Sequence, residues 1–345
     1  MKEFGSDFHT IGNYKREKSS KTVYPNEYLL MADGRQCILE LIRHYRWKRI
    51  WMPTYFCYNI IDYIQNNSDV EIAYYEDYPG HDEGHVVATL PYADGDVLFR
   101  MNYFGFRASR SEKEIPIPVI EDHSHDLVGD WAKNSDADWC IASLRKIVPI
   151  PEGGIMWSPK GYCLPSINQS SATNEELSQK RWKAMDDKSK YLQGLVDDKD
   201  GFRKLYLETE DAFDVLECSS IDDRSRGYFE AFDIEAWNFS KKKNWEILKD
   251  LFLSCNVDVV CPENRELVPF SLIALFETEE KRNDVRKRMI AESIYPAVLW
   301  NVPNLVSESV KDFSKRMLSI HCDGRYDDND IKIMLYKLQE VLRYD

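Results

Sequence analysis

Nowhere in its 345 residues does the chain hold an uninterrupted apolar run of about 18, the length that a membrane-crossing helix requires. Nor does it open on a signal segment: Met1-Lys2-Glu3-Phe4-Gly5 leads directly into polar sequence. The expectation is a soluble, cytoplasmic protein. Basic excess is missing too. Lys and Arg number 45 against 59 Asp and Glu, a formal charge of −14, which argues against a general binder of nucleic acid or of anionic membranes. A small anion held by local dipoles stays compatible with that charge. No Cys-x-x-Cys pair occurs among the eight cysteines, so the scattered thiols read as small core residues and no metal site is expected. His81 and His85 stand at a helical metal-ligand spacing, but Pro79, Gly80 and Gly84 interrupt any helix there and predict a solvated loop.

What the chain does have centres on Trp139 to Pro159. A short apolar run ending at Ala142 leads to Lys146, and Ile147, Val148 and Ile150 follow before Gly153-Gly154. The pattern predicts a strand-turn-strand unit with the lysine held in the interior. Burial there would disfavour the ammonium form and make the amine a nucleophile toward an aldehyde. Upstream, the apolar run Ile117-Pro118-Val119-Ile120 stops at Glu121-Asp122-His123-Ser124-His125-Asp126. A buried parallel strand ending this way puts acids and imidazoles at the carboxyl edge of a sheet, where open α/β folds bind ligands. Asp122 is then a candidate partner for a protonated ring nitrogen. Earlier still, Asp33-Gly34-Arg35-Gln36 opens an amphipathic helix with apolar Cys37, Ile38, Leu41 and Ile42. Free N–H groups and the dipole at such a start favour a phosphate.

A phosphate seat, a carboxylate for a ring nitrogen and a lysine for an aldehyde are what pyridoxal phosphate (PLP) takes from a protein. The order of these segments resembles the DegT/DnrJ/EryC1/StrS sugar aminotransferases, within the type I fold of PLP enzymes. Asp33-Gly34-Arg35, Glu121-Asp122-His123-Ser124-His125 and Ser143-Leu144-Arg145-Lys146 ahead of Glu152-Gly153-Gly154 carry the likeness. Met52-Pro53-Thr54-Tyr55-Phe56-Cys57, Met101-Asn102-Tyr103-Phe104-Gly105, Tyr295 to Trp300 and Leu318 to Tyr326 extend it over roughly residues 24 to 343. Ser143 lies closer to the lysine than in the commonest family pattern, and Pro151 replaces a glycine.

The resemblance implies PLP as cofactor and transamination as the reaction, with catalytic Lys146, Asp122 and His125. Lys146 would hold the cofactor aldehyde, Asp122 the pyridine nitrogen and His125 the phenolic oxygen. An aromatic at Tyr55 or Phe56 would stack on the ring, and Gly34, Arg35, Gln36 and Ser143 would seat the phosphate. It also implies a homodimer, an amino donor such as glutamate and a keto group on a nucleotide-linked sugar as acceptor. Two other readings stay open. One is a PLP-dependent sugar dehydratase, although that branch typically has histidine in place of the lysine; the other is a non-catalytic, cofactor-binding or regulatory member.

Strands alternating with helices from about 30 to 160 predict a mostly parallel central sheet covered on both faces. Residues 1–24 read as a polar arm, 25–250 as a large α/β domain and 251–345 as a small C-terminal α+β domain. Within the large domain, 174 to 250 reads as helical, with Leu177, Trp182, Met185, Tyr191, Leu192 and Leu195 as an apolar stripe. Lys241-Lys242-Lys243 reads as a solvated face.

Overall fold

A computed structural model describes residues 3–12, 14, 23–167, 169–215 and 217–343. The basic stretch of the arm, 15–21, lies outside them. The chain begins with β1 (Phe4–Gly5) and β2 (Leu29–Met31), followed by α1 (Gly34–Tyr45). Asp33 caps α1 by accepting a hydrogen bond from the Arg35 N–H at 2.9 Å, and Cys37, Ile38, Leu41 and Ile42 form its buried face. Next come β3 (Arg49–Pro53), α2 (Tyr58–Asn67), β4 (Glu71–Tyr75), α3 (Gly84–Ala88), β5 (Asp96–Met101), β6 (Val119–Asp122), α4 (Asp130–Lys133), β7 (Trp139–Ser143) and β8 (Gly154–Trp157).

Seven of these strands form one sheet in the order β2-β8-β7-β6-β5-β3-β4. β7, β6, β5, β3 and β4 run parallel, and β8 is antiparallel to both of its neighbours. The direction of chain progression reverses between β3 and β5, the kind of point at which α/β sheets bind ligands outside their carboxyl ends. Alternation along each strand divides the core into two layers. Ile50, Phe99, Ile120 and Ile141 pack with α1 on one face. Trp51, Leu98, Val119 and Cys140 pack on the other, under α5 (Ala172–Leu192), α6 (Asp200–Phe213) and α7 (Asp223–Ala231).

α8 (Ile234–Ser254) bridges to a third core. That core is built on the three-stranded sheet of β9 (Asp258–Val259), β10 (Leu272–Leu275) and β12 (Met317–Ile320). α9 (Glu279–Ala291), β11 (Ile294–Tyr295), α10 (Glu308–Arg316) and α11 (Asp328–Leu342) complete the C-terminal region. A capping box between Asp327 and Asp330 opens α11. Trp245, Leu248 and Phe252 of α8 already belong to this third core, as does Phe4. The described part of the arm therefore docks on its own chain, with β1 pairing parallel to β11.

The strand-turn-strand unit around Lys146 is present: Leu144–Lys146 is a single 3₁₀ turn, and the second strand starts at Gly154, after the two prolines. Prolines 149 and 151 supply no N–H to a ladder, which keeps the β-branched residues 147 to 150 out of a strand. Three local readings change. Gly84 begins the short helix α3 instead of breaking one, and it carries His85 on an exposed position. Leu195 lies beyond α5 and is exposed. Lys241 is buried, not solvated, because it falls on the same face of α8 as Trp237, Asn244, Trp245 and Leu248. No helix among the described residues is long and apolar enough to cross a membrane.

Candidate active site

Met31, Gly154 and Ser143 lie side by side across β2, β8 and β7, which sets the start of α1 against the end of β7. The fit is close: a Cβ on Gly34 would stand 2.9 Å from Ser143 Cβ, and one on Gly154 would stand 2.6 Å from the Asp33 carbonyl. Glycine is required at both positions by that approach. Ser143 N–H donates to Ser124 Oγ at 2.8 Å, and its own hydroxyl has no hydrogen-bond partner among the described residues. Arg35 is engaged with Asp214 and lies 3.4 Å from Asp33. Gln36 is committed elsewhere: its amide donates to Glu217 O and accepts from Ser219 N–H, so it secures a neighbouring segment and does not face a ligand.

Asp122 closes β6, one strand over from β7. Its Oδ1 accepts from the Ser124 N–H at 2.7 Å, which fixes the carboxylate. Glu121, one residue earlier, turns to the opposite sheet face, where it bonds Trp131 Nε1 at 2.8 Å and His123 Nε2 at 3.0 Å. Cys140 joins these two, and ligand-type atoms of the trio come within 4.8 Å of one another, sealed away from the site.

His125 is the most informative residue. Its Nδ1 accepts from the Phe104 N–H at 2.9 Å, so the neutral ring carries its hydrogen on Nε2. Burial, helped by the Lys146 and Lys241 ammonium groups, holds the imidazole well below its usual range, and the ring is neutral. Nε2 is buried without a hydrogen-bond partner. Phe104 adopts φ 54° to present that N–H, backbone strain of the kind that concentrates at functional sites. Phe270 and Trp300 stack on the same imidazole, with centroids at 4.4 and 5.7 Å.

Lys146 is half-buried. It lines a cavity of about 320 Å³ together with Arg145, Arg181, Lys241 and Arg325, at the lower end of ligand-site volumes. The interior placement expected of it is not met, because the 3₁₀ turn lifts it onto the cavity wall. The aromatic ring nearest its Nζ belongs to Trp300, at 5.7 Å. Tyr55 and Phe56 stand one ring further back, at 5.6 and 6.1 Å from Trp300, and the Tyr55 hydroxyl is bonded to Leu299 O.

Sequence reasoning missed Asn102 and Trp300 as site residues. Asn102 follows β5 as Asp122 ends β6, and both of its amide atoms are buried without partners, so the rule that singled out Asp122 also reaches it. Trp300 arrives from the C-terminal region by tertiary packing, and no local pattern marks it.

No family model matches the sequence, and no curated relative does. Solved structures do match. A Streptococcus pneumoniae protein described as a sugar aminotransferase superposes in its apo form with TM-score 0.66 at 11% identity, covering 99% of this chain and 98% of its own. A DegT DnrJ EryC1 StrS aminotransferase from Brucella abortus gives 0.56 at 10%, over 91% and 86%. The chain has the type I PLP-transferase fold. A serine palmitoyltransferase from Sphingomonas wittichii also matches, with TM-score 0.55 at 11% identity over 92% and 73%. That fold therefore hosts different reactions, and the reaction has to be argued from the site.

Proposed function

We propose that this chain is a PLP-dependent aminotransferase that moves an amino group from an amino acid such as glutamate to a keto group of a nucleotide-linked sugar, as a cytoplasmic homodimer. The observation that carries it is the neutral His125, whose buried Nε2 hydrogen has no acceptor among the described residues, at the same sheet edge as Asp122 and Lys146. The unpartnered Asn102 amide and the Gly34–Ser143–Gly154 cradle fit the same group. The S. pneumoniae protein named above is matched in PLP and PMP forms as well, which supports the choice of cofactor.

Bound there, the cofactor supplies an electron sink for the pair released when a substrate C–H bond breaks. The chain supplies the rest. Lys146 would hold the cofactor through its amine and would carry the proton that the reaction moves. Asp122, steadied by the Ser124 N–H, keeps the ring nitrogen protonated where charge develops. His125 Nε2–H would donate to the phenolic oxygen, and the Ser143 hydroxyl with the start of α1 would hold the phosphate; Arg35, with its N–H on Asp33 and its guanidinium on Asp214, is committed as Gln36 is. Trp300, stacked on His125 and the ring nearest Lys146, would be the aromatic beside the cofactor in place of Tyr55 or Phe56.

The test is chemical. Borohydride treatment of the PLP-loaded protein should fix the cofactor to the peptide carrying Lys146, read by mass, and Lys146→Ala should abolish the adduct. A screen of amino donors should then convert bound PLP to its amine form. Fixation at Lys146 with no conversion by any donor would favour a binding or regulatory protein.

A further inference from the structure

The cavity beside Lys146 is cationic in a chain of net charge −14: five of its lining side chains are Lys or Arg and two are Asp. Most of that charge is already engaged. Arg325 is held by both carboxylate oxygens of Asp323, at 2.8 and 2.9 Å. Arg145 and Arg181 share Glu210, at 2.8 to 3.1 Å. Lys146 is assigned to the cofactor.

Lys241 remains. It is 3% exposed and has no hydrogen-bond or ion-pair partner among the described residues. Its neighbours in the α8 sequence behave otherwise: Lys242 Nζ donates to Arg265 O, and Lys243 Nζ bonds Asp328. The charged groups facing Lys241 are Asp126 and Asp323. Asp323 is taken by Arg325, and both Asp126 oxygens are themselves buried without partners. Burial lowers the Lys241 ammonium from its usual range and pushes the Asp126 carboxyl up to about 6. A buried ammonium without a bonded acceptor is costly, and the side of Lys241 that faces the cavity is where an acceptor has room. Phe8, Trp237 and Phe270 supply apolar walls that strengthen any charge pairing there.

We propose that Lys241 is a specificity-determining residue of the substrate site, receiving a carboxylate or phosphate of the molecule whose reacting carbon is presented to Lys146. This rests on Lys146 as the reacting amine. The two ammonium groups line one cavity and both act on His125, so a single substrate meets both.

The experiment titrates the PLP-loaded protein with 2-oxoglutarate and, separately, with inorganic pyrophosphate, following quenching of tryptophan fluorescence. A carboxylate source predicts binding of the first and a phosphate source binding of the second. Lys241→Met should weaken whichever binds by about 10–100-fold, Lys241→Arg should retain it within about threefold, and Lys242→Met should leave it unchanged. Acetic anhydride footprinting of the unmodified protein keeps the test independent of how the variants fold: the bound probe should protect Lys241 and leave Lys242 labelling as before. Binding of neither probe, equal binding by Lys241→Met, or absence of protection overturns the proposal. So does recovery of binding in a Lys241→Met/Asp126→Asn double variant, which would make Lys241 a structural counter-ion. Borohydride fixation at Lys146, measured in the same preparation, separates the two levels. Its loss sinks the cofactor reading, whereas intact fixation without any effect of Lys241 sinks only this one.

Discussion

Gly154→Ala tests whether the start of α1 is seated by the close approach at β8. The added Cβ would stand 2.6 Å from both Asp33 C and Asp33 O and 2.7 Å from Gly34 N. All three are backbone atoms, so no side chain can swing aside. Ordinary contact begins at 3.4 Å, so the segment around Asp33 has to retreat by about 0.8 Å. Overpacking of this kind costs about 1–3 kcal/mol. Alanine recovers about 0.5–1 kcal/mol of unfolded-chain entropy, leaving a net loss of up to about 2.5 kcal/mol. Urea denaturation followed by circular dichroism reads that loss as a lower midpoint at unchanged slope. The same retreat carries the α1 amides away from Ser143. Since a misplacement of about 1 Å costs up to 100-fold at a reacting site, PLP retention should fall by on the order of tenfold. Gly227→Ala is the control: that glycine lies within α7 with nothing within 4 Å of the added atom. It should gain about 0.5–1 kcal/mol. A Gly154→Ala protein that melts and retains PLP like the wild type would refute the reasoning.

Two further outcomes follow from the buried charges beneath the sheet edge. Arg107 is 3% exposed, bonds both oxygens of Asp77 and donates to Met101 O at 3.0 Å; Arg107→Met strands the Asp77 charge and should cost about 3–5 kcal/mol, most of it regained in an Arg107→Met/Asp77→Asn double variant, as denaturation midpoints will show. Glu83 is fully buried; burial pushes its carboxyl up, but Arg107 and Arg100 outweigh that and hold it at about 2, against 4.5 for a free glutamate. A depressed folded value means that this contribution is complete above about pH 4.5 and is lost as the pH falls toward 2. It amounts to about 3 kcal/mol, so the stability gap between the wild type and Glu83→Gln should narrow by that order between pH 6 and 2.5. A gap that stays constant contradicts the ion-pair account.

The sheet edge was legible because strand ends announce themselves: an apolar run that stops at an acid or a lysine puts a polar group at the carboxyl end, and Asp122 and Ser143 lie there. The turn after Ser143 was legible too, but the interior placement of Lys146 was not borne out, because the 3₁₀ turn sets the residue on a cavity wall. Lys241 was misread for a different cause. Treating three lysines as one block hid the fact that the first falls in phase with Trp237, Trp245 and Leu248, and helical phase outranks charge in deciding which side is buried. Gln36 was placed correctly on α1 but on the wrong duty, since only the fold brings residues 217 and 219 to its amide.

The cavity beside Lys146 stayed illegible because it is built from parts that only the fold brings together. Ser6, Asp7 and Phe8 of the arm, Arg145 and Lys146 of the turn, and Trp237, Lys241 and Arg325 from beyond residue 230 share one cavity. The arm is clamped from two sides at a single point: Lys188 of α5 donates to Ser6 Oγ and Asp7 O at 2.9 and 2.7 Å, and Arg325 donates to Ser6 O and Asp7 O at 3.2 and 3.3 Å. β1 further ties it to β11. Lys146 and Lys241 thus line one cavity without either residue having a local reason to be where it is. Patterns with a period of two or 3.6 residues report which face of an element is buried. They carry no information about which buried faces of separate elements will meet, and a cavity walled by several elements depends on that meeting.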